Sequence, residues 1–134
     1  MGEQVNLRAA FEQIPEPWVP VVAGELNGQQ VKLARARDSY IWHHHEEEDE
    51  LFLVLKGVLD LHLKNESDEE RVVTVSEGEF FIVPRGVEHK PVARDGDAHL
   101  LLFEPASTRN TGNVDHDRTI EPGDLEHIGS ANPE

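Results

Sequence analysis

Residues 40–57 read YIWHHHEEEDELFLVLKG: a histidine triplet beside aromatics, five consecutive acids, and an apolar stretch closed by glycine. If 40–45 is extended, side chains alternate between faces. His43 and His45 then share one side with Ile41, while Tyr40, Trp42 and His44 take the other. Two imidazoles two residues apart on one face can chelate a single cation; adjacent ones cannot easily do so. The candidate pair is His43 and His45, with a solvent-facing polar strand end as the competing account. Glu46, Glu47, Glu48 and Asp49 fall in a loop, where a charge run is ordinarily solvated. Glu50 is different. It opens ELFLVLK, a strand apolar on both faces, and shares its face with Phe52 and Val54 while Leu51, Leu53 and Leu55 line the other. A carboxylate there must be paired, protonated or bound to metal. Gly57 permits a tight turn into VLDLHLK.

Outward from this stretch the texture is short strands punctuated by turns. Strands are expected at 19–24, 30–37, 40–45, 50–56, 58–64, 71–76, 79–83, 87–94 and 98–104. Between them lie Asn27-Gly28, the polar NESDEE at 65–70, Glu77-Gly78, Pro84-Arg85-Gly86 and Asp95-Gly96. Many short strands at near-regular spacing predict an all-β sandwich or barrel of the jelly-roll kind. A short helix is expected within 6–13, capped by Asn6, and the prolines of IPEPWVP end it. Three parts follow: an N-terminal segment 1–18, a barrel 19–105, and a polar tail 106–134, expected to drape on the barrel or to be partly disordered.

The composition narrows the chemistry. Twenty-seven acids against 12 bases give a formal net charge of −15, a balance that repels nucleic acid and anionic lipid. No cysteine is present, so disulfides, thiolate metal sites and cysteine nucleophiles are excluded. The start MGEQVNLRAAFEQIPEPW lacks a basic residue followed by an apolar run, and no apolar stretch approaches the ~18 residues of a membrane helix. A cytoplasmic protein without a membrane partner is expected. The zinc-protease pattern His-Glu-x-x-His fails because position 49 is Asp, and no phosphate-binding glycine loop or nucleophile elbow occurs.

His43-x-His45-x4-Glu50-x6-Gly57 resembles the first motif of the cupins, and Gly78-x5-Pro84-x-Gly86-x2-His89, within GEFFIVPRGVEH, resembles the second. The two cover positions 43–89. This chain departs from the family pattern at Arg37 and Ala93, where a glycine and an asparagine are common; neither position is a ligand there. The resemblance implies a double-stranded β-helix barrel holding one divalent metal through His43, His45, Glu50 and His89. Such donors suit Mn, Fe, Ni, Co, Cu or Zn without selecting sharply among them. Because ligand histidines bind when deprotonated, metal loss is expected below about pH 6. Phe52, Val54, Phe81, Val83, His99 and Phe103 are the expected pocket lining. His62, His116 and His127 are expected to be solvated.

The leucines at 51, 53 and 55, with Trp42 and Tyr40, are expected on the face away from the metal. Either the chain itself or a second copy covers that face, and the resemblance favours a homodimer. Functionally, the chain is similar to the small cupins grouped with mannose-6-phosphate-isomerase-like proteins. That likeness implies a metal-dependent enzyme acting on a sugar or small carbonyl compound. The alternatives are a metal-dependent dioxygenase of a chelating small molecule and a non-catalytic small-molecule binder. A phosphosugar enzyme should place Lys or Arg at its pocket; Arg35, Arg37, Arg85 and Lys90 are the candidates.

Overall fold

Strand boundaries follow the turn residues. In the computed structural model, which describes residues 4–128, a short helix α1 (Leu7–Glu12) is capped by Asn6, whose Oδ1 accepts from the Ala9 amide at 3.0 Å. Eight strands follow: β1 (Val21–Leu26), β2 (Gln29–Ala36), β3 (Glu50–Lys56), β4 (Val58–Lys64), β5 (Glu70–Ser76), β6 (Phe80–Val83), β7 (Glu88–Ala93) and β8 (Ala98–Pro105). All pair antiparallel, in a five-stranded sheet β1-β2-β8-β3-β6 and a three-stranded sheet β5-β4-β7. This is the jelly-roll architecture that the strand spacing predicts.

The main core lies between the two sheets. Phe52 and Val54 of β3 and Leu100 and Leu102 of β8 meet Leu59, Leu61 and Leu63 of β4 and Val75 of β5. Gly57 turns β3 into β4 at φ +86°, where a Cβ would lie 2.9 Å from the Asp97 carbonyl oxygen. Only glycine accommodates both constraints. A second cluster lies on the outer face, where Phe11 of α1, Ile14 just after it and Ile128 from the tail cover Val21, Ala23 and Leu33. The chain thus covers the β1–β2–β8 half of that face itself. Across the β3–β6 half, Leu51 pairs with Ile82 and Leu53 with Phe80, leaving Ile82 48% and Phe80 61% exposed.

Two expectations need correction. Residues 40–45 are not a ladder strand. The segment touches β7 through isolated bridges, Ser39 to Val92 and His43 to His89, and the register slips by one residue between them. That slip turns Tyr40 inward, to the same side as His43, instead of outward with Trp42. The tail packs on the barrel through residue 128: Thr108, Thr111, Leu125 and Ile128 are buried, and Val22 exchanges backbone hydrogen bonds with Glu126 and Ile128. The expectation for 129–134 lies outside the described residues. The second correction concerns β8, which buries Ala98, Leu100, Leu102 and Glu104, so His99 and Phe103 face outward. His99 stacks on Phe11 with ring centroids 4.3 Å apart, far from any inner cavity.

Candidate metal centre

Four side chains converge between the sheets near one end of β3. His43 and His45 come from the segment before β3, Glu50 is its first residue, and His89 lies on β7. All four are buried, and each offers a ligand atom within 4.8 Å of the others'. Paired backbone hydrogen bonds between His43 and His89, at 3.0 and 2.8 Å, bring the two motifs together. The Gly86 amide bonds to the His45 carbonyl at 2.8 Å, and Asp49 Oδ1 accepts from the Arg85 amide at 2.8 Å. The Pro84–Gly86 turn is therefore tied directly to the loop that precedes Glu50.

The donor set fits a metal ion. Nδ1 of His43 bonds to the Ile41 carbonyl and Nδ1 of His89 to the Val87 carbonyl, each at 2.9 Å. A carbonyl can only accept, so each Nδ1 carries a proton, which in the neutral ring leaves the Nε2 lone pair facing the cluster. Glu50 Oε1 lies 3.3 Å from Nε2 of both His45 and His89. Neither ring nitrogen of buried His45 has a hydrogen-bond partner among the described residues, a cost that ligation would remove. Burial first, and then the neighbouring His89, push His43 down from 6.5 to about 3. The ring therefore stays neutral in the fold well below the free imidazole value. His44 points elsewhere, bonding to Glu88 Oε1 at 2.8 Å and to Glu46. The Glu46 bond leads in raising its pKa.

Beside the ligands lies a narrow cavity of about 40 Å³, bounded by Trp18, Tyr40, Phe52, Leu100, Glu104 and Asn110 among others, together with His43 and Glu50. By the size of a water molecule it holds on the order of three. Of the expected lining residues, Phe52 takes its place there. Val54 and Val83 are core, Phe81 packs against the core from its margin, and His99 and Phe103 lie outside.

Sequence reasoning put Tyr40 on the wrong face and missed Trp18, Asn110 and a buried ion pair. Lys32 (1% exposed) donates to Glu104 (2% exposed) at 2.6 Å and to the Thr108 carbonyl at 3.3 Å. Glu104 and Glu50 titrate as neighbours. Burial and the charge of Glu50 hold Glu104 well above the usual carboxylate range. Burial opposes ionisation of Glu50 too, but contacts with Glu104, His45 and His89 outweigh it and hold that group low. A signal was available: Lys32 is the one base in the inward row Gln30-Lys32-Ala34-Ala36, and Glu104 the one acid closing Ala98-Leu100-Leu102-Glu104.

Comparisons with known proteins agree with this geometry. The cupin-domain family model matches residues 29–104. The chain is 33% identical over 90 residues to YdbB, an uncharacterized protein of Bacillus subtilis (strain 168), covering 67% of this chain and 76% of that one. A cupin-2 domain protein of Shewanella frigidimarina is similar in structure, with TM-score 0.69, 32% identity, and coverage of 75% of this chain and 93% of the other. Hydroquinone 1,2-dioxygenase from Sphingomonas sp. TTNP3, a structure with 4-hydroxybenzoate bound, shares the fold at TM-score 0.57 and 19% identity, over 69% of this chain and 68% of its own. None of the described helices is long and apolar enough to cross a membrane. With both motifs in one buried His₃Glu cluster and the domain model spanning more than half its length, this chain belongs to the cupin family.

Proposed function

We propose that this cupin holds one divalent transition metal in its His43–His45–Glu50–His89 cluster and acts on a small chelating compound as a dioxygenase-type enzyme. The observation that carries the choice is the cavity beside the ligands: it is narrow, mostly apolar, and lined by no lysine or arginine. Lys32 is close by but committed to Glu104 and Thr108. Of the sequence candidates for a phosphate contact, Arg35 and Arg37 bond to Asp97 and Arg85 to Asp49. Lys90 sits over the outward-facing Trp42. A phosphosugar isomerase needs a cation aimed into its pocket, so the mannose-6-phosphate-isomerase-like reading is the weaker one.

When bound, a redox-active ion supplies the electron transfer that dioxygen chemistry requires. The protein's residues do the rest. Carbonyls behind His43 and His89 hold both rings in the tautomer that presents Nε2 inward. Trp18, Phe52, Leu100 and Leu102 give the cavity apolar walls that keep bulk solvent back, which strengthens charge interactions inside. Tyr40 donates its hydroxyl to the Asn110 carbonyl at 3.2 Å, and burial raises its pKa, so it stays a neutral hydrogen-bond donor. Glu104 is the one carboxyl at the cavity outside the ligand set.

The test is oxygen uptake by protein reloaded separately with Fe, Mn, Ni, Cu or Zn, against compact enediols and phosphosugars. Oxygen consumption with an enediol, dependent on a redox metal, supports the reading. Phosphosugar isomerisation that proceeds equally with zinc overturns it.

A further inference from the structure

The segment carrying His43 and His45 has two backbone edges. One faces β7: His43 bonds to His89 through both its polar groups, and the His45 carbonyl takes the Gly86 amide. Because amide and carbonyl directions alternate along an extended chain, those of His44 point to the other edge. No strand lies there among the described residues. The C-terminal strap takes that place. Asn113 donates its amide to the His44 carbonyl at 3.0 Å, and its Oδ1 accepts the His44 amide at 2.8 Å. One residue thereby satisfies both polar groups of the residue between two ligands.

The strap approaches as closely as a chain can. Gly112 has φ +55°, and a Cβ there would sit 2.2 Å from the His44 carbonyl oxygen and 3.1 Å from Cδ2 of the His43 ring. Behind this contact the strap is braced. Buried Thr111 bonds through Oγ1 to Thr119 Oγ1 at 2.6 Å and to the Val114 carbonyl at 2.7 Å. Asn110 spans to the Arg118 carbonyl and the Ile120 amide at 2.8 and 2.9 Å. All of this lies beyond residue 104, where the match to the cupin domain ends.

We propose that Gly112 and Asn113 form a positioning clamp for the metal centre, holding the His43–His45 spacing from the edge that β7 does not reach. The inference rests on the metal reading above. Asn113 touches no ligand ring; it acts through the His44 backbone.

The test is Co(II) titration of metal-free protein, following the visible absorption of the bound ion, with thermal unfolding of the same metal-free samples. Asn113→Ala should weaken Co(II) binding about tenfold, the lower end of what outer-shell partners of metal ligands contribute. The visible band should shift while the metal-free unfolding midpoint stays close to that of the wild type. Asn113→Asp keeps the Oδ1 acceptor and should restore affinity and band position. Gly112→Ala, which drives a methyl into the His44 carbonyl, should weaken binding further. Asn113→Ala with wild-type affinity and spectrum overturns the clamp while leaving the metal reading intact, and so does a loss explained wholly by unfolded protein. Wild-type protein that takes up no Co(II) overturns the metal reading, and the clamp falls with it.

Discussion

The cupin domain and the C-terminal strap serve the same site by different physics. Within residues 29–104, apolar rows on facing sheets enclose four polar ligands, so the centre is made by burial and strand register. The strap, residues 106–120, buries few apolar groups. It is held by side-chain hydrogen bonds from Thr108, Asn110 and Thr111, and it meets the centre through backbone contacts at His44. One region supplies the ligands and the other sets their separation. Burial tolerates conservative change better than a glycine-wide contact does.

Breaking the ligand set gives the largest expected effect. Glu50→Ala removes the one oxygen donor and should lower metal affinity by more than about a hundredfold, beyond what outer-shell changes reach. Competition against a chromophoric chelator measures it. Severing the link between the two regions comes next. Lys32 is bonded to Glu104 of the barrel and to the Thr108 carbonyl of the strap. Lys32→Met removes the buried partner of Glu104 and the bond to Thr108, for which about 3–5 kcal/mol is expected in denaturant unfolding. Gly57→Ala strains only the barrel, where it meets the Asp97 carbonyl. It should cost about 1–3 kcal/mol, with Co(II) affinity of the folded fraction unchanged. Equal affinity loss in Gly57→Ala and Asn113→Ala would erase the distinction between the regions.

Acid sharpens the comparison on the barrel side. His43 titrates at 6.5 when unfolded and at about 3 in the fold. Its stabilising contribution is complete above 6.5. Below that the unfolded chain gains a proton that the fold refuses, so stability falls as pH drops toward 3, at ~1.4 kcal/mol per pH unit for this group. His44 shifts the opposite way, but its Glu46 partner is exposed and screened by solvent. Unfolding midpoints of metal-free protein between pH 7 and 4 should decline, and His43→Gln should flatten the slope. The smallest effect belongs to Arg85→Ala. This exposed partner of Asp49 should contribute less than about 1 kcal/mol.

Much of this was legible before any coordinates. Turn residues marked the strands, and the two motif spacings named all four clustered side chains. The remainder escaped for physical reasons. β8 reads AHLLLFEP, apolar on both faces because one row meets the opposite sheet while the other runs under the α1 cluster. Alternation therefore does not say which row is inward; Leu100 and Leu102, not His99 and Phe103, line the cavity. Tyr40 was misplaced because a one-residue slip against β7 has no sequence signature. The sequence leaves the tail between draping and disorder because its order comes from threonine and asparagine hydrogen bonds, which leave no hydrophobic period to read.

Elemental analysis of wild-type and His89→Ala protein, each stripped of metal and reloaded under identical conditions, tests the central claim most directly. The account predicts one bound transition-metal ion per wild-type chain and essentially none in folded His89→Ala. Wild-type protein that retains no ion after loading, or His89→Ala protein that retains the full complement, would contradict it.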